Sequence, residues 1–252
     1  RSSGWDVKHM VRMLVTSEAY AQSSAASPAL RARDPQNRWF ARQGRWRLDA
    51  EFVRDSLLQV SGLLSDHQVG GRSVKPYQPA GYWQHLNFPK RQWQADQGDR
   101  LYRRSLYTFW CRTFLHPSML AFDATSREEC TAERAKSNIP QQALVLLNDP
   151  IFLEASRVFA GRILEADGDE DAKVVWAMRE AVSRAPVDQE VALLVALYRD
   201  QLGRYQDAPG DANALLSVGA AENRRSDRPA ELAAWTQVAR AIYNLYETTS
   251  RY

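Results

Sequence analysis

At 252 residues, with 44% hydrophobic and 25% charged side chains, the chain can bury a sizeable core and has the make-up of an ordinary globular protein. A formal net charge of only +3 gives no general pull toward nucleic acid, and no apolar run reaches the ~20 residues needed to span a bilayer. Of the 33 basic residues 28 are Arg. Guanidinium groups make planar, two-pronged contacts with carboxylates, so many of them are expected in structural ion pairs.

The opening "RSSGWDVKHMVRMLVTSEAY" lacks the continuous apolar stretch of a signal peptide. Trp5, Val7, Met10, Val11, Leu14 and Val15 recur instead at helical spacing and predict an amphipathic helix. That helix is under way from the first residues, which leads us to expect a piece of a longer polypeptide. A loop of small and polar residues follows. Asp49 then caps a helix with the apolar stripe Phe52, Val53, Leu57, Val60 and Leu64.

Gly70 and Gly71 end that region, and two prolines make "SVKPYQPAGYW" extended or turn-like. "SLYTFWCRTF" suits a short helix or a strand, until His116-Pro117 stops it. From residue 138 the pattern is helical. Asn138 is the expected cap of a helix with Pro140 in its first turn, and Asp149-Pro150 repeats the signal for the next. "AKVVWAMREAVS", "DQEVALLVALYRDQLGRY" and "ELAAWTQVARAIYNLYETTSRY" make five, the last running to the C-terminus. Short connections imply antiparallel neighbours. The expected fold is all-α, a multi-helix bundle with long Pro- and Gly-bearing loops in the N-terminal half. It is read as one mostly helical domain over 1–252, with a soft boundary near 137.

Metal and haem signals are missing. His9, His67, His85 and His116 form no H-x-x-x-H pair, and there is no C-x-x-C-H. Cys111 and Cys130, the two cysteines, are either free or bridged. Asp167, Asp169 and Asp171 alternate as at the start of a calcium loop, but Ala172 and Met178 occupy its sixth and twelfth positions. An acidic turn is expected there, and no metal site anywhere.

Three stretches hold candidate chemistry. Residues 28–47 carry six Arg and one Asp among Trp39, Phe40 and Trp46. Such a mixture serves single-stranded nucleic acid, or a glycan with tryptophan stacked on sugar faces. Equally, it describes core aromatics with arginines on acidic helices. No nucleic-acid motif accompanies it, and nucleic acid is not expected as a partner. In "RLDAEFVRD", Glu51, Arg54 and Asp55 fall at i, i+3 and i+4, so ion pairing within the helix is expected. Residues 103–133 surround an apolar centre with Arg103, Arg104, Tyr107, Asp123, Arg127 and three glutamates. They form either a buried Arg–carboxylate seam or a site with Asp123 as base.

Several of these phrases carry a resemblance: "RWRLDAEFVRDSLLQVSGLLS", "GGRSVKPYQPAGYW", "YRRSLYTFWCRT", "PSMLAFDATSREECTAERAKSNIPQQALVLLNDPIFLEASR" and "ELAAWTQVARAIYNLYET". Together they resemble a C-terminal domain of unknown function abundant in planctomycetes and related bacteria. In that family the domain follows a cytochrome-c-like domain in a large exported polypeptide. The resemblance implies a periplasmic or cell-surface location and no cofactor in this segment, with haem c in an upstream domain or a cytochrome c partner. It also implies polysaccharide as a partner. Carried over residue by residue, the family motifs fall on Asp49, Arg54 and Asp55; on Lys75, Tyr77 and Gln78; and on Arg104, Asp123, Arg127, Asn138 and Gln141. Two function classes follow. One is a non-haem module supporting carbohydrate oxidation, with Asp123 as base and Arg104 or Arg127 fixing its ionisation. Binding would then fall to Lys75, Tyr77, Gln78, Trp46, Arg54, Asp55 and Asn138. The other is a non-catalytic scaffold or glycan-binding domain that organises its partner domains.

Overall fold

The computed structural model describes residues 3–65, 69–83, 92–112 and 114–251. His67 and His85 lie outside the described residues. The chain divides into two compact units, residues 1–47 with 250–252, and residues 48–249. Position 137, the expected boundary, lies inside the larger unit.

In the smaller unit, α1 (Val7–Val15) starts at Asp6, whose side chain accepts from the backbone N–H groups of Lys8 and His9. Its apolar residues Val7, Met10, Val11 and Leu14 are exposed. α2 (Pro28–Arg33) is capped by Ser27. β1 (Trp46–Arg47) and β2 (Ser250–Arg251) pair antiparallel, with Trp46 opposite Arg251. The aromatics of the arginine-rich stretch are not the core residues that one reading of it expected. Trp39, Phe40 and Trp46 are exposed, and Arg42 donates to the carbonyls of Asp34 and Pro35 rather than to an acidic helix. Asp34 is buried and closes the loop by accepting from the N–H groups of Arg38 and Trp39, at 2.8 and 3.0 Å.

The larger unit is a helical bundle. It comprises α3 (Ala50–Ser61), α4 (Pro117–Ala121), α5 (Pro140–Asn148), α6 (Pro150–Glu165), α7 (Glu170–Val182), α8 (Asp188–Asp207), α9 (Pro209–Leu216) and α10 (Pro229–Tyr243). The only sheet among the described residues is the two-stranded β1–β2 pair, so the expected all-α class holds. Among the described residues, six helices (α2, α4, α5, α6, α9 and α10) begin with proline. The missing N–H costs nothing in the first turn, and the fixed φ suits it. Ile139, not Asn138, occupies the cap position of α5.

α6 and α10 form the centre, with α10 also against α8 and α9, and α3 against α6. Both central helices carry fully buried alanines, Ala155 and Ala160 on α6 and Ala234 and Ala239 on α10. Stacked rings fill the rest: Phe159 on Tyr243 at 5.5 Å and Tyr198 on Trp235 at 4.3 Å. The last helix was expected to reach the C-terminus. It stops at Tyr243, and a 3₁₀ turn (Tyr246–Thr249) leads into β2. No helix among the described residues is long and apolar enough to cross a membrane.

Candidate functional site

The described residues among 70–83, 92–112 and 114–116 form loops and short 3₁₀ turns, and polar side chains tie this loop layer to α3. Arg54 projects from α3 into the interior with 2% exposure. Its guanidinium donates to the carbonyls of Leu101 (2.6 Å) and Arg103 (2.9 Å) and to Ser105 Oγ (3.2 Å). Asp55 Oδ1 accepts from the Ser105 N–H and hydroxyl at 2.8 and 2.7 Å, and lies 3.6 Å from Arg54 Nη1. Burial lowers the pKa of Arg54, while the charges of Asp55 and Asp149 act to raise it. The ion pairing expected within α3 is thus only half present, because Glu51 is held by Arg134 at 2.7 and 3.2 Å. Arg103 performs the same office for the glycine loop, donating to the carbonyls of Arg72 (3.0 Å) and Gly70 (2.5 Å) above the Tyr107 ring.

A second set of buried groups follows. His116 Nε2 lies 2.6 Å from the Tyr77 carbonyl, and Ser118 Oγ 2.8 Å from Nδ1. A carbonyl only accepts, so Nε2 carries the proton and the Ser118 hydroxyl donates to Nδ1. Burial takes His116 down to about 4. Asp149 caps α6 by accepting from the Ile151 N–H at 3.0 Å. Burial pushes its carboxyl up to about 6, opposed by that N–H and by Arg54. It lies at a cleft of about 440 Å³ lined by Pro79, Pro117, Leu144, Val145 and Pro150.

Deeper still, Glu154 has no exposed surface. Its Oε1 accepts from the Tyr102 hydroxyl at 2.8 Å and the Ala221 N–H at 2.7 Å, and lies 3.7 Å from Arg157 Nη2. Arg157 also donates to the carbonyls of Val218 (3.2 Å) and Ala221 (2.7 Å) and to Asn223. The Tyr77 hydroxyl is buried near Glu154 without a hydrogen bond of standard geometry. Burial first and the Glu154 charge second raise its pKa.

Residues 1–198 match the family model described as PSD1, protein of unknown function (DUF1553). The chain belongs to the PSD1 family. The match takes in every residue advanced from the sequence as a candidate and ends within α8, so α9 and α10 lie outside it. No curated protein and no solved structure matches this PSD1 chain.

Within the PSD1 match the candidates are distributed as follows. Asp123, at φ 61°, accepts from the Ser137 N–H at 2.6 Å and from its hydroxyl at 2.9 Å with both carboxylate oxygens, fastening the turn after α4 to the segment before α5. Arg127 lies 4.2 Å over the Trp110 ring, and Arg104 is exposed ahead of the 3₁₀ turn Ser105–Tyr107. Among the described residues no ion pair joins Asp123 to either arginine.

Lys75, Tyr77 and Gln78 share one loop. The Lys75 ammonium lies over the Trp93 and Phe109 rings, at 5.6 and 5.1 Å, and Gln78 accepts from the Trp83 indole. Asn138 is exposed just ahead of α5. Trp46 belongs to the smaller unit. Cys111 is buried and Cys130 exposed, and both are free thiols. Among the described residues no cluster of three or more His, Cys, Asp or Glu could hold a metal. His116, Asp149, Tyr102 and Glu154 are the groups that sequence reasoning passed over as candidates. Asp149 had been read only as a helix start.

Proposed function

We propose that this PSD1 chain is a non-catalytic helical module that organises the upstream domains of a larger exported polypeptide, in the periplasm or at the cell surface. Haem c belongs, on this reading, to one of those domains or to a cytochrome c partner. The observation that carries it is the placement of Asp123. A general base must offer a free lone pair to the proton that it abstracts, within hydrogen-bond reach of the substrate. Asp123 is instead engaged by the Ser137 N–H and hydroxyl, and among the described residues neither Arg104 nor Arg127 pairs with it, so no base-and-arginine arrangement supports a catalytic reading. Arg54, Asp55 and Arg103 are likewise engaged with backbone carbonyls and a serine of the loop layer. Polysaccharide as a partner is supported by the exposed indole of Trp39, over which the Arg33 guanidinium lies at 5.6 Å.

The test uses the full-length protein and its visible haem absorbance, recorded as neutral and sulfated polysaccharides are added to the wild type and to Asp123→Asn. This reading expects the two proteins to behave alike, whether the haem stays oxidised or is reduced. Reduction in the wild type that slows by orders of magnitude in a folded Asp123→Asn would instead establish carbohydrate oxidation with Asp123 as the base.

A further inference from the structure

A second cleft, of about 500 Å³ and lined in part by Lys75 of the loop that carries Tyr77, has walls of a different character. Its lining is polar: Arg72, Ser73, Lys75, Gln94, Gln97 and Arg100, with Asp96 as its one acid. Asp96 is already committed. Oδ1 accepts from the Arg72 guanidinium at 3.0 Å, Oδ2 accepts from the Lys75 N–H at 2.8 Å, and the Asp96 N–H returns a bond to the Lys75 carbonyl at 2.9 Å. This closed pairing fixes one edge of the cleft and holds the Arg72 guanidinium there.

The other two cations have no acid. The Lys75 ammonium is held by ring faces rather than by a carboxylate. Arg100 sits on the 3₁₀ turn Gly98–Tyr102, and among the described residues its guanidinium makes neither an ion pair nor a hydrogen bond. Asp99, its neighbour on that turn, is not part of the wall. Three cations line the cleft against a single carboxylate, and a concave site with an excess of positive charge concentrates counter-ions. The amides of Gln94 and Gln97 and the hydroxyl of Ser73 supply donors and acceptors for neutral polar groups. The volume falls within the roughly 300–1,000 Å³ typical of small-ligand clefts.

We propose that this cleft binds an oxyanion carried on a hydroxyl-rich body, the sulfate ester or carboxylate of an acidic sugar. Arg100 and Lys75 meet the anion, Arg72 is the positioned third cation, and the glutamines meet the hydroxyls. The proposal does not depend on whether the module is catalytic.

The test is isothermal titration of the 252-residue chain with glucose 6-sulfate, glucuronate, inorganic sulfate and glucose, repeated on Arg100→Gln and Arg72→Gln. Expected are binding of the two acidic sugars, weakening with added salt, and no binding of glucose. Arg100→Gln should weaken binding about tenfold or more, the loss of one charge-assisted contact, with unchanged circular dichroism. Arg72→Gln gives a second reading of the same site and should also weaken it. Equal binding of glucose, unaltered affinity in both variants, or no binding of either acidic sugar would overturn the proposal. Inorganic sulfate binding as tightly as glucose 6-sulfate would overturn the part played by the hydroxyl groups.

Discussion

The Tyr102 hydroxyl donates to Glu154 Oε1 across 2.8 Å, joining a 3₁₀ turn of the loop layer to the most buried helix of the bundle. Glu154 is shut away from water, so each donor that it loses leaves a charge uncompensated. Tyr102→Phe removes the hydroxyl and nothing else. It should lower stability by about 1–3 kcal/mol in a denaturant titration. An unchanged midpoint would mean that the Ala221 N–H and Arg157 suffice.

Gly219 is the backbone counterpart of that buried acid. It stands at φ +91°, and a Cβ there would run into the Glu154 carboxylate. Gly219→Ala should therefore destabilise by more than the ~1 kcal/mol that positive φ alone would cost. Gly203, inside α8 with open space around it, is the control. Gly203→Ala should stabilise by roughly 0.5–1 kcal/mol. Melting the two variants side by side checks both signs.

Asp149 and His116 pull stability in opposite directions in acid. With Asp149 raised to about 6, the folded protein keeps a proton that the unfolded chain, titrating near ~4, has released; its contribution falls as pH rises from about 4 to about 6. With His116 lowered to about 4, the unfolded chain takes a proton that the folded protein refuses. That contribution is full above about 6.5 and is lost as pH falls toward about 4. Asp149→Asn keeps a good helix cap and removes the first effect. Between pH 6.5 and 4 the variant should lose stability more steeply than the wild type, by about 2–3 kcal/mol in all. Parallel stability curves would contradict this account of the Asp149 burial.

Two helix starts were legible because a proline in the first turn acts locally. Pro140 and Pro150 each mark the first turn that they were expected to mark. The end of α10 was not, since "NLYETTSRY" holds no glycine or proline and its turn is made by Thr248 bonding back to the carbonyls of Tyr243 and Leu245. Arg54 shows the larger limit. Spacing paired it with Glu51, but its carbonyl partners lie 47 and 49 residues away. Glu154 sits in an apolar helical run whose chemistry depends on a tyrosine 52 residues upstream. No local pattern carries such information. α9 went unread although Ala208-Pro209 offered the same signal as the others.

The thiols give a simple check on the loop layer. Cys130 is exposed and Cys111 buried. A colourimetric thiol reagent should react promptly with one group in the native protein, and with the second only on unfolding. A native protein silent toward the reagent, with both thiols appearing only after reduction, would mean a bridge.

If the motif's polar residues hold the fold, removing the Asp123 carboxylate must loosen it. The measurement is the thermal unfolding midpoint of Asp123→Ala against the wild type, with Asp123→Asn beside it. Alanine loses both bonds to Ser137 and fits poorly at φ 61°, so Tm should fall by about 5 °C or more. Asparagine keeps an acceptor and tolerates that backbone, so its loss should be smaller. If neither variant moves Tm, the Asp123 carboxylate contributes nothing to the fold, and the reading of this module as a scaffold loses its main support.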